Sequence, residues 1–263
     1  MLSQAHFELL AFATAVGFDV VALLQELLPI FAVVTAFALI ARWMRAVTTS
    51  GALAGWLCAF ALTFGGGFAM FAPLVAVFST VSTATDFGHA RKARLGLAEP
   101  RHGRSGGQVF ANLAIAAICA IVGELGGGFG VAWHMATVAA LAEAAADTVS
   151  SEIGQALSAR PRLITTFARV PAGTDGAVSW SGSLAGLLAA AIVATTAMAA
   201  GLISLEAAGV AAGAGISGML FDSLLGATLQ RRGVIGNNLV NLLSTAFAAG
   251  VAILAILSGI APV

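Results

Sequence analysis

Long apolar stretches alternate with short polar ones along almost the whole chain. A helix needs about 20 apolar residues to cross the hydrocarbon core of a bilayer. Candidate stretches lie at 7–24, 27–43, 50–64, 66–85, 108–123, 130–149, 181–201, 206–229 and 237–259. The consecutive glycines of "TFGGGFAM" predict a tight turn between two of them. The pattern predicts an all-α, polytopic transmembrane helical bundle with about nine spans, forming a single transmembrane domain over residues 1–263.

The composition supports a membrane protein and excludes a soluble one. Of the 263 residues, 59% are hydrophobic and only 9% are charged, and the mean hydropathy is +0.98. A soluble domain carries about 25% charged residues. The spans leave no room for a large soluble domain, and no basic fold with interleaved aromatic residues indicates nucleic-acid binding.

The basic residues all lie on one side of the predicted topology. They are Arg42, Arg45, Arg91, Lys92, Arg94, Arg101, Arg104, Arg160, Arg162, Arg169, Arg231 and Arg232. The opposite loops, such as "GELGGGFG" and "GLISLE", contain acids and no Lys or Arg. The positive-inside rule makes the basic side cytoplasmic. We therefore expect the N-terminus in the cytoplasm and the C-terminus outside, in an inner (plasma) membrane of the bacterial type.

Two long loops on the basic side, about 86–107 and 151–180, are expected to carry the site. The first loop contains His89, Arg91, Lys92, Arg94, Arg101, His102 and Arg104. These residues suit either contact with anionic headgroups or a cationic clamp for a polyphosphate or a lipid phosphate. The second loop contains "VPAGTDGAVSW", in which Gly173, Thr174, Asp175 and Gly176 form a turn. Such a glycine turn is either a plain connection or an anion-binding nest.

Polar residues from five segments are predicted at one depth of the membrane, near the cytoplasmic ends of the spans. Glu143 and Asp147 are four residues apart and share a helix face. The other members are Glu152, Asp222, the amides Gln108 and Asn112, and the amides Asn237, Asn238 and Asn241. Ionisable groups inside a span are costly and usually face a cavity or a partner. Acids and amides together favour a hard cation such as Mg²⁺ shared with phosphates, or else a proton or cation pathway.

The motifs "AAADTVSSEIG", "PRLITT", "VPAGTDGAVSWSG", "FDSLLGATLQ" and "NNLVNLLST" occur in this order. In this arrangement the chain resembles a family of integral membrane proteins, formerly of unknown function, that includes the plant phytyl-phosphate kinase. The stretch "QVFAN" and Lys92 match as well, and the resemblance covers roughly residues 35–260. The matching positions are Asp147, Thr148, Ser151, Glu152, Ile153, Gly154, Gly173, Thr174, Gly176, Asp222, Ser223 and Gly226.

The resemblance implies a membrane-embedded isoprenoid-phosphate kinase that transfers a phosphoryl group from a nucleoside triphosphate to phytyl or polyprenyl monophosphate. CTP is the expected donor, and Mg²⁺ or Mn²⁺ the expected metal. The catalytic residues would be Lys92, Asp147, Glu152 and Asp222, and the metal ligands Glu143, Asp147, Glu152 and Asp222. Substrate binding would involve Arg91, Gln108, Asn112, Gly173, Thr174, Asp175, Gly176, Asn237, Asn238 and Asn241.

The chain departs from the family pattern at two places. The family usually has Asn-Asp where this chain has Asn237-Asn238, and it often has Gly where Leu113 follows Asn112. The first change removes an expected carboxylate from the metal site. The expected partners are a membrane lipid, an isoprenoid monophosphate and a nucleotide, and a homodimer stays open.

Two other functions use the same residues. A cation- or proton-coupled transporter would use Glu143, Asp147 and Asp222 as a relay, although no clear inverted repeat is present. A CTP-dependent cytidylyltransferase acting on a lipid phosphate would use the same metal and phosphate clamp.

Overall fold

The computed structural model describes residues 20–100, 102–126, 130–158 and 160–259 of the chain. Within these ranges it is an all-α bundle of nine helices. They are α1 (Val20–Trp43), α2 (Thr49–Gly66), α3 (Phe71–Asp86), α4 (His89–Arg94), α5 (Gly106–Leu125), α6 (Gly130–Leu157), α7 (Trp180–Ala199), α8 (Leu205–Leu225) and α9 (Asn237–Leu257). A 3₁₀ turn, Phe68–Met70, precedes α3, and a π-helical turn, Gly226–Gln230, extends α8. Two short antiparallel strands, β1 (Arg162–Leu163) and β2 (Ala177–Val178), pair Arg162 with Val178 and Leu163 with Ala177.

Seven helices of the described residues are long and apolar enough to cross a membrane. Together with α6 they match eight of the predicted spans. Most of the remaining predicted span, 7–24, lies outside the described residues. The predicted break at residues 25–26 is wrong, because α1 runs without interruption from Val20. Gln and Glu are good helix formers, so the polar pair there does not end the helix.

The helix α6 is not among these seven. It contains three acids, Glu143, Asp147 and Glu152, and it is surrounded by other helices. It also continues to Leu157, so residues 151–157 are helical where the sequence predicts the start of a loop. A run of alanines between Ala136 and Ala146 is almost fully inaccessible to solvent. Small side chains of this kind let neighbouring helices approach closely, and α3, α5, α7, α8 and α9 all pack on α6.

The loops that carry the basic residues meet at one end of the bundle, called here the basic end. Loop 44–48 joins loop 95–105 through the amide of Thr48, which donates to the carbonyl of Arg104 at 3.0 Å. Loop 158–179 joins the end of α8, where Gln230 Nε2 donates to Asp175 Oδ1 at 3.0 Å. The N-terminus of α5 lies beside that of α9, at Gly107 and Asn238.

Candidate functional site

A polar cavity of about 240 Å³ lies at the basic end, between α5, α6, α8, α9 and the loop 158–179. It brings together most of the polar residues predicted from sequence. Those that line it are Gln108, Asp147, Glu152, Gly173, Thr174, Asp175, Gly176, Asp222, Asn237 and Asn241. Five predicted residues do not line it: Lys92, Arg91, Asn112, Asn238 and Glu143. Glu143 lies one helical turn deeper in the bundle than Asp147.

The acids of the cavity form a close cluster. Asp147 of α6 and Asp222 of α8 both line the cavity. Ser244 Oγ donates to Asp222 Oδ2 at 3.3 Å. Glu143 is 1% exposed, and neither of its carboxyl oxygens has a hydrogen-bond partner within the described structure. Three neighbouring carboxyls repel one another when all are ionised, so this cluster favours a bound cation or proton.

The space for the Glu143 carboxyl depends on a glycine of α8. A Cβ atom at Gly218 would lie 3.0 Å from both the Cβ of Ala248 and the carbonyl oxygen of Ser244. It would also overlap the side chain of Glu143. The missing side chain therefore lets α8 approach α6 and α9 at the depth of the acid cluster.

The donor set of the cluster fits Mg²⁺ as a partner of bound phosphates. No group of three His, Cys, Asp or Glu side chains in the described ranges is arranged to hold a metal ion by itself. Mg²⁺ is usually held by one or two carboxylates together with waters and substrate phosphates. Asp147 and Asp222 supply two such carboxylates, and the unpartnered Glu143 carboxyl lies behind them.

Lys92 is fully buried in an ion pair rather than exposed to the cavity. Its Nζ atom donates to Glu152 Oε2 at 2.5 Å and to the carbonyl of Thr85 at 2.7 Å. Arg104 Nη2 donates to the other oxygen of the same carboxylate at 3.3 Å. Glu152 thus links α4 and the loop 95–105 to α6. Of the two cations, Arg104 borders the polar cavity, and it is the one placed to meet an anion there.

The glycine turn 173–176 forms the outer wall of the cavity. Gly176 has a φ of 71°, and a Cβ atom there would collide with the backbone of Ala227 in the π-helical turn. The turn is therefore seated on the end of α8, next to Asp222. Desolvation of the carboxyl raises the pKa of Asp175, and the Arg231 guanidinium partly opposes that rise. A π-helical turn is rare and is frequent at functional sites.

A chain of amides connects α5 to α9 along the cavity wall. Asn241 Nδ2 donates to Asn112 Oδ1 at 3.4 Å, and Asn112 Nδ2 donates to the carbonyl of Gln108 at 2.8 Å. Asn238 is exposed and lies against Gly107 instead. Arg91 Nη1 donates to the carbonyl of Leu157, at the end of α6. The role predicted for each of these residues stays a prediction.

The sequence analysis did not select three residues that border or complete the site, and it named Arg104 only as one of several basic residues of a possible cationic clamp. Arg104 and Glu99 line the cavity, Thr85 Oγ1 donates to Glu152 Oε1 at 3.2 Å, and Ser244 contacts Asp222. Ser244 follows Asn241 by one helical turn, so helical spacing alone indicates that both lie on one face. Thr85 lies at the end of α3, and Glu99 and Arg104 lie on the loop 95–105. No local spacing connects these segments to the acids.

Comparison with known proteins agrees with this architecture. The family model described as integral membrane protein DUF92 matches residues 32–249. An uncharacterized membrane protein of Methanocaldococcus jannaschii is 33% identical over 81% of this chain and 87% of its own length. Protein VTE6 of Arabidopsis thaliana, the plant phytyl-phosphate kinase, is 36% identical over 69% of this chain. That match covers 57% of the plant protein.

A second protein of the same plant is also similar to this chain. Protein PGR of Arabidopsis thaliana is 32% identical over 72% of this chain and 74% of its own length. No solved structure matches the chain. The family model covers most of the described helices, from α1 into α9. The chain therefore belongs to the DUF92 family of integral membrane proteins.

Proposed function

We propose that the protein is a membrane-embedded isoprenoid-phosphate kinase. It would transfer a phosphoryl group from a nucleoside triphosphate, CTP by preference, to phytyl or polyprenyl monophosphate. The observation that carries the proposal is one polar cavity in which an acid pair, a glycine turn and Arg104 converge. These are the parts that phosphoryl transfer needs: anionic metal ligands, backbone donors for phosphates, and a cation. Similarity to the plant phytyl-phosphate kinase supports the substrate class.

In this reaction an oxygen of the lipid phosphate attacks the γ-phosphorus of the nucleotide. The bond from that phosphorus to the bridging oxygen breaks, and the nucleoside diphosphate leaves. The attacking oxygen is already deprotonated at neutral pH, so no general base is required. Positioning and neutralisation of charge then supply most of the rate enhancement.

Each part of the cavity has a role in that positioning. The 173–176 turn binds the nucleotide phosphates, and Arg104 holds the lipid phosphate. Glu152 and Lys92 fix Arg104 in place through the shared carboxylate. A Mg²⁺ ion bound by Asp147 and Asp222 would stabilise the charge on the transferred phosphoryl group. Asn241 and Asn237 orient the acceptor from α9.

The same proposal places the basic end in the cytoplasm, where nucleotides are available. It is supported by the basic residues of α4 and of the loops 44–48, 102–105, 160–179 and 231–236, which meet at this end. An acceptor lipid then presents its phosphate at the boundary of the inner leaflet.

The test is an assay of purified protein in detergent with Mg²⁺, CTP or ATP, and phytyl monophosphate. Mass spectrometry should detect phytyl diphosphate, and EDTA should abolish it. The variants Asp147→Asn and Asp222→Asn should each lower kcat at least about 100-fold, as loss of transition-state electrostatics does. Glu206→Gln, an exposed acid at the other end of α8, is the matched control and should keep full activity. Folded protein without product from any donor would refute the kinase.

A proton- or cation-coupled transporter is the second candidate, and Glu143 is the observation that favours it. A buried carboxyl without hydrogen-bond partners, beside two further acids, suits a group that takes up and releases protons. Protein in liposomes would then carry proton flux that Glu143→Gln abolishes. If the protein is a kinase, no such flux is expected. Product formation should then be sensitive to Asp222→Asn.

A further inference from the structure

A second cavity, the apolar groove, lies beside the polar cavity. It has a volume of about 420 Å³ and runs between α1, α2, α3 and α5. Its apolar lining comes from Val34, Phe37, Ala38, Ala41, Gly55, Trp56, Ala59, Leu74, Val77, Phe78, Val81, Val109 and Leu113. The size is that of a small-molecule site. The polar residues of the apolar groove gather at the basic end, so the groove is apolar along its length and charged at one mouth.

The apolar groove and the polar cavity meet at a shared set of residues. Glu99, Arg104, Gln108 and Thr148 line both. The Arg104 side chain is 18% exposed, and its Nη2 atom donates to Glu152 and to Thr85. A guanidinium group has five N–H donors and matches phosphate geometry. The junction therefore offers a cation where an apolar path ends and the acid cluster begins.

We infer that the apolar groove binds the hydrocarbon chain of the acceptor lipid, and that Arg104 holds its phosphate at the junction. This inference rests on the proposed function, because it takes a single-chain isoprenoid monophosphate as the ligand. The match is one of shape and charge. The chain lies among the apolar side chains of α1, α2, α3 and α5, and the terminal phosphate faces the polar cavity. The nucleotide reaches the same cavity from the loop 158–179.

The structure of the apolar groove suggests how to block it. Gly55 lies on its α2 wall, and a Cβ atom there would stand at an ordinary 3.6 Å from Val109. Gly55→Phe should therefore fill the groove without displacing the backbone of α2. Leu57, on the same helix, is 59% exposed and does not line the groove. Leu57→Phe is the matched control, and Ala38→Phe on α1 is a second blocking variant.

The experiment is photolabelling of the full chain by phytyl monophosphate with a diazirine at the end of its chain. Peptide mass spectrometry should place the label on residues of the apolar groove in α1, α2, α3 or α5. Gly55→Phe and Ala38→Phe should each reduce labelling at least about tenfold, and Leu57→Phe should leave it unchanged. Label confined to α7–α9 or to outward-facing side chains would overturn the inference. Equal labelling of the blocked variants would overturn it too.

A turnover assay separates this inference from the proposed function. With phytyl monophosphate, Gly55→Phe should raise KM at least about tenfold. With dimethylallyl monophosphate, whose chain is too short to enter deeply, it should change kcat/KM less than twofold.

Wild-type protein that is labelled in the groove but forms no diphosphate would refute the kinase and leave the inference about lipid binding in the groove standing. Wild-type protein that forms diphosphate but is labelled elsewhere would refute the groove alone. A photocrosslinking amino acid can also be placed at position 56 in the groove. If it reacts with residues 1–19 of the same chain, and still does so with the lipid in excess, the inference about the groove is refuted.

Discussion

Among single residues, Lys92 is the most fully buried charge of the described structure, at 0% exposure. Its ammonium group donates to Glu152 and to the backbone carbonyls of Ala84 and Thr85. A buried charge is tolerated only when it is paired and hydrogen-bonded. These contacts assign Lys92 a positioning role, in which it holds Glu152 and, through it, Arg104.

Lys92→Met should destabilise the protein by about 3–5 kcal/mol, since it leaves the Glu152 carboxylate with only Arg104 as a charged partner. Thermal unfolding in detergent measures the loss. The double variant Lys92→Met/Glu152→Gln removes both charges of the Lys92–Glu152 ion pair, so it should lose less than the sum of the two single variants. Additive losses would contradict the coupling between the two residues.

At this scale the sequence predicted the acids better than the cations. Asp147 and Asp222 could be predicted because a carboxylate within an apolar helix has few structural explanations. The burial of Lys92 could not, because a lysine in a basic loop has the same local pattern whether it is solvated or covered. It depends on α4 packing against the end of α6, which no local pattern encodes.

At the scale of elements, the glycine turn 173–176 depends on its contact with the end of α8. Gly176→Ala would meet a φ of 71° and a collision with Ala227. We expect a lower melting temperature and nucleotide binding at least about tenfold weaker, measured by equilibrium binding of labelled CTP. Gly233→Ala is the matched control, because Gly233 has the same φ of 71° with no atoms near its Cβ position. Gly233→Ala should lose only the stability that backbone strain costs, about 1–2 kcal/mol, and should bind CTP with unchanged affinity. Equal effects of the two variants on CTP affinity would contradict the contact between the turn and the end of α8.

The helix α8 offers a second matched pair of glycines. Gly218→Ala should push α8 away from Glu143 and Ala248 and lower the melting temperature. Gly213→Ala, on the open face of the same helix, meets no neighbouring atom. It should leave stability unchanged or raise it by up to about 1 kcal/mol, because Ala is the better helix former. Thermal unfolding of the two variants side by side should give a lower melting temperature for Gly218→Ala and an unchanged or higher one for Gly213→Ala. A stabilising Gly218→Ala would contradict the packing at the acid cluster.

Most element positions followed from hydropathy, and their ends did not. The predicted turn at "TFGGGFAM" is present, with Gly67 at a φ of 74°. The continuation of α6 to Leu157 was not predicted, because polar residues such as Glu152 are typical of loops. There the helix is stabilised by packing and ion pairing with α4 and the loop 95–105, which the local sequence does not contain.

At the scale of the whole molecule, the concentration of basic residues at one end predicts the orientation of the protein in the membrane, and this orientation can be tested. The native cysteines Cys58 and Cys119 are buried, so a cysteine introduced at an exposed end is the reactive one. We expect a membrane-impermeant maleimide to label Leu205→Cys in intact cells. Arg232→Cys, at the basic end, should be labelled only after the membrane is opened. The reverse pattern would place the basic end outside and remove the cytoplasmic nucleotide from the proposal.

The basic end could be predicted from sequence, since alternation of spans places every Lys and Arg on one side. The apolar groove could not. Its walls come from α1, α2, α3 and α5, and each contributes residues that are indistinguishable in sequence from ordinary lipid-facing or core positions. A cavity is what packing leaves empty, and hydropathy carries no information on it.

The most direct test of the central claim follows two labels through one reaction. Purified protein is incubated with Mg²⁺, phytyl monophosphate and CTP labelled at either the γ- or the α-phosphorus, and the lipid fraction is counted. A kinase transfers the γ-label to the lipid and leaves the α-label in CDP. Lipid that carries the α-label instead would contradict the kinase and identify a cytidylyltransferase, and lipid without either label would contradict both.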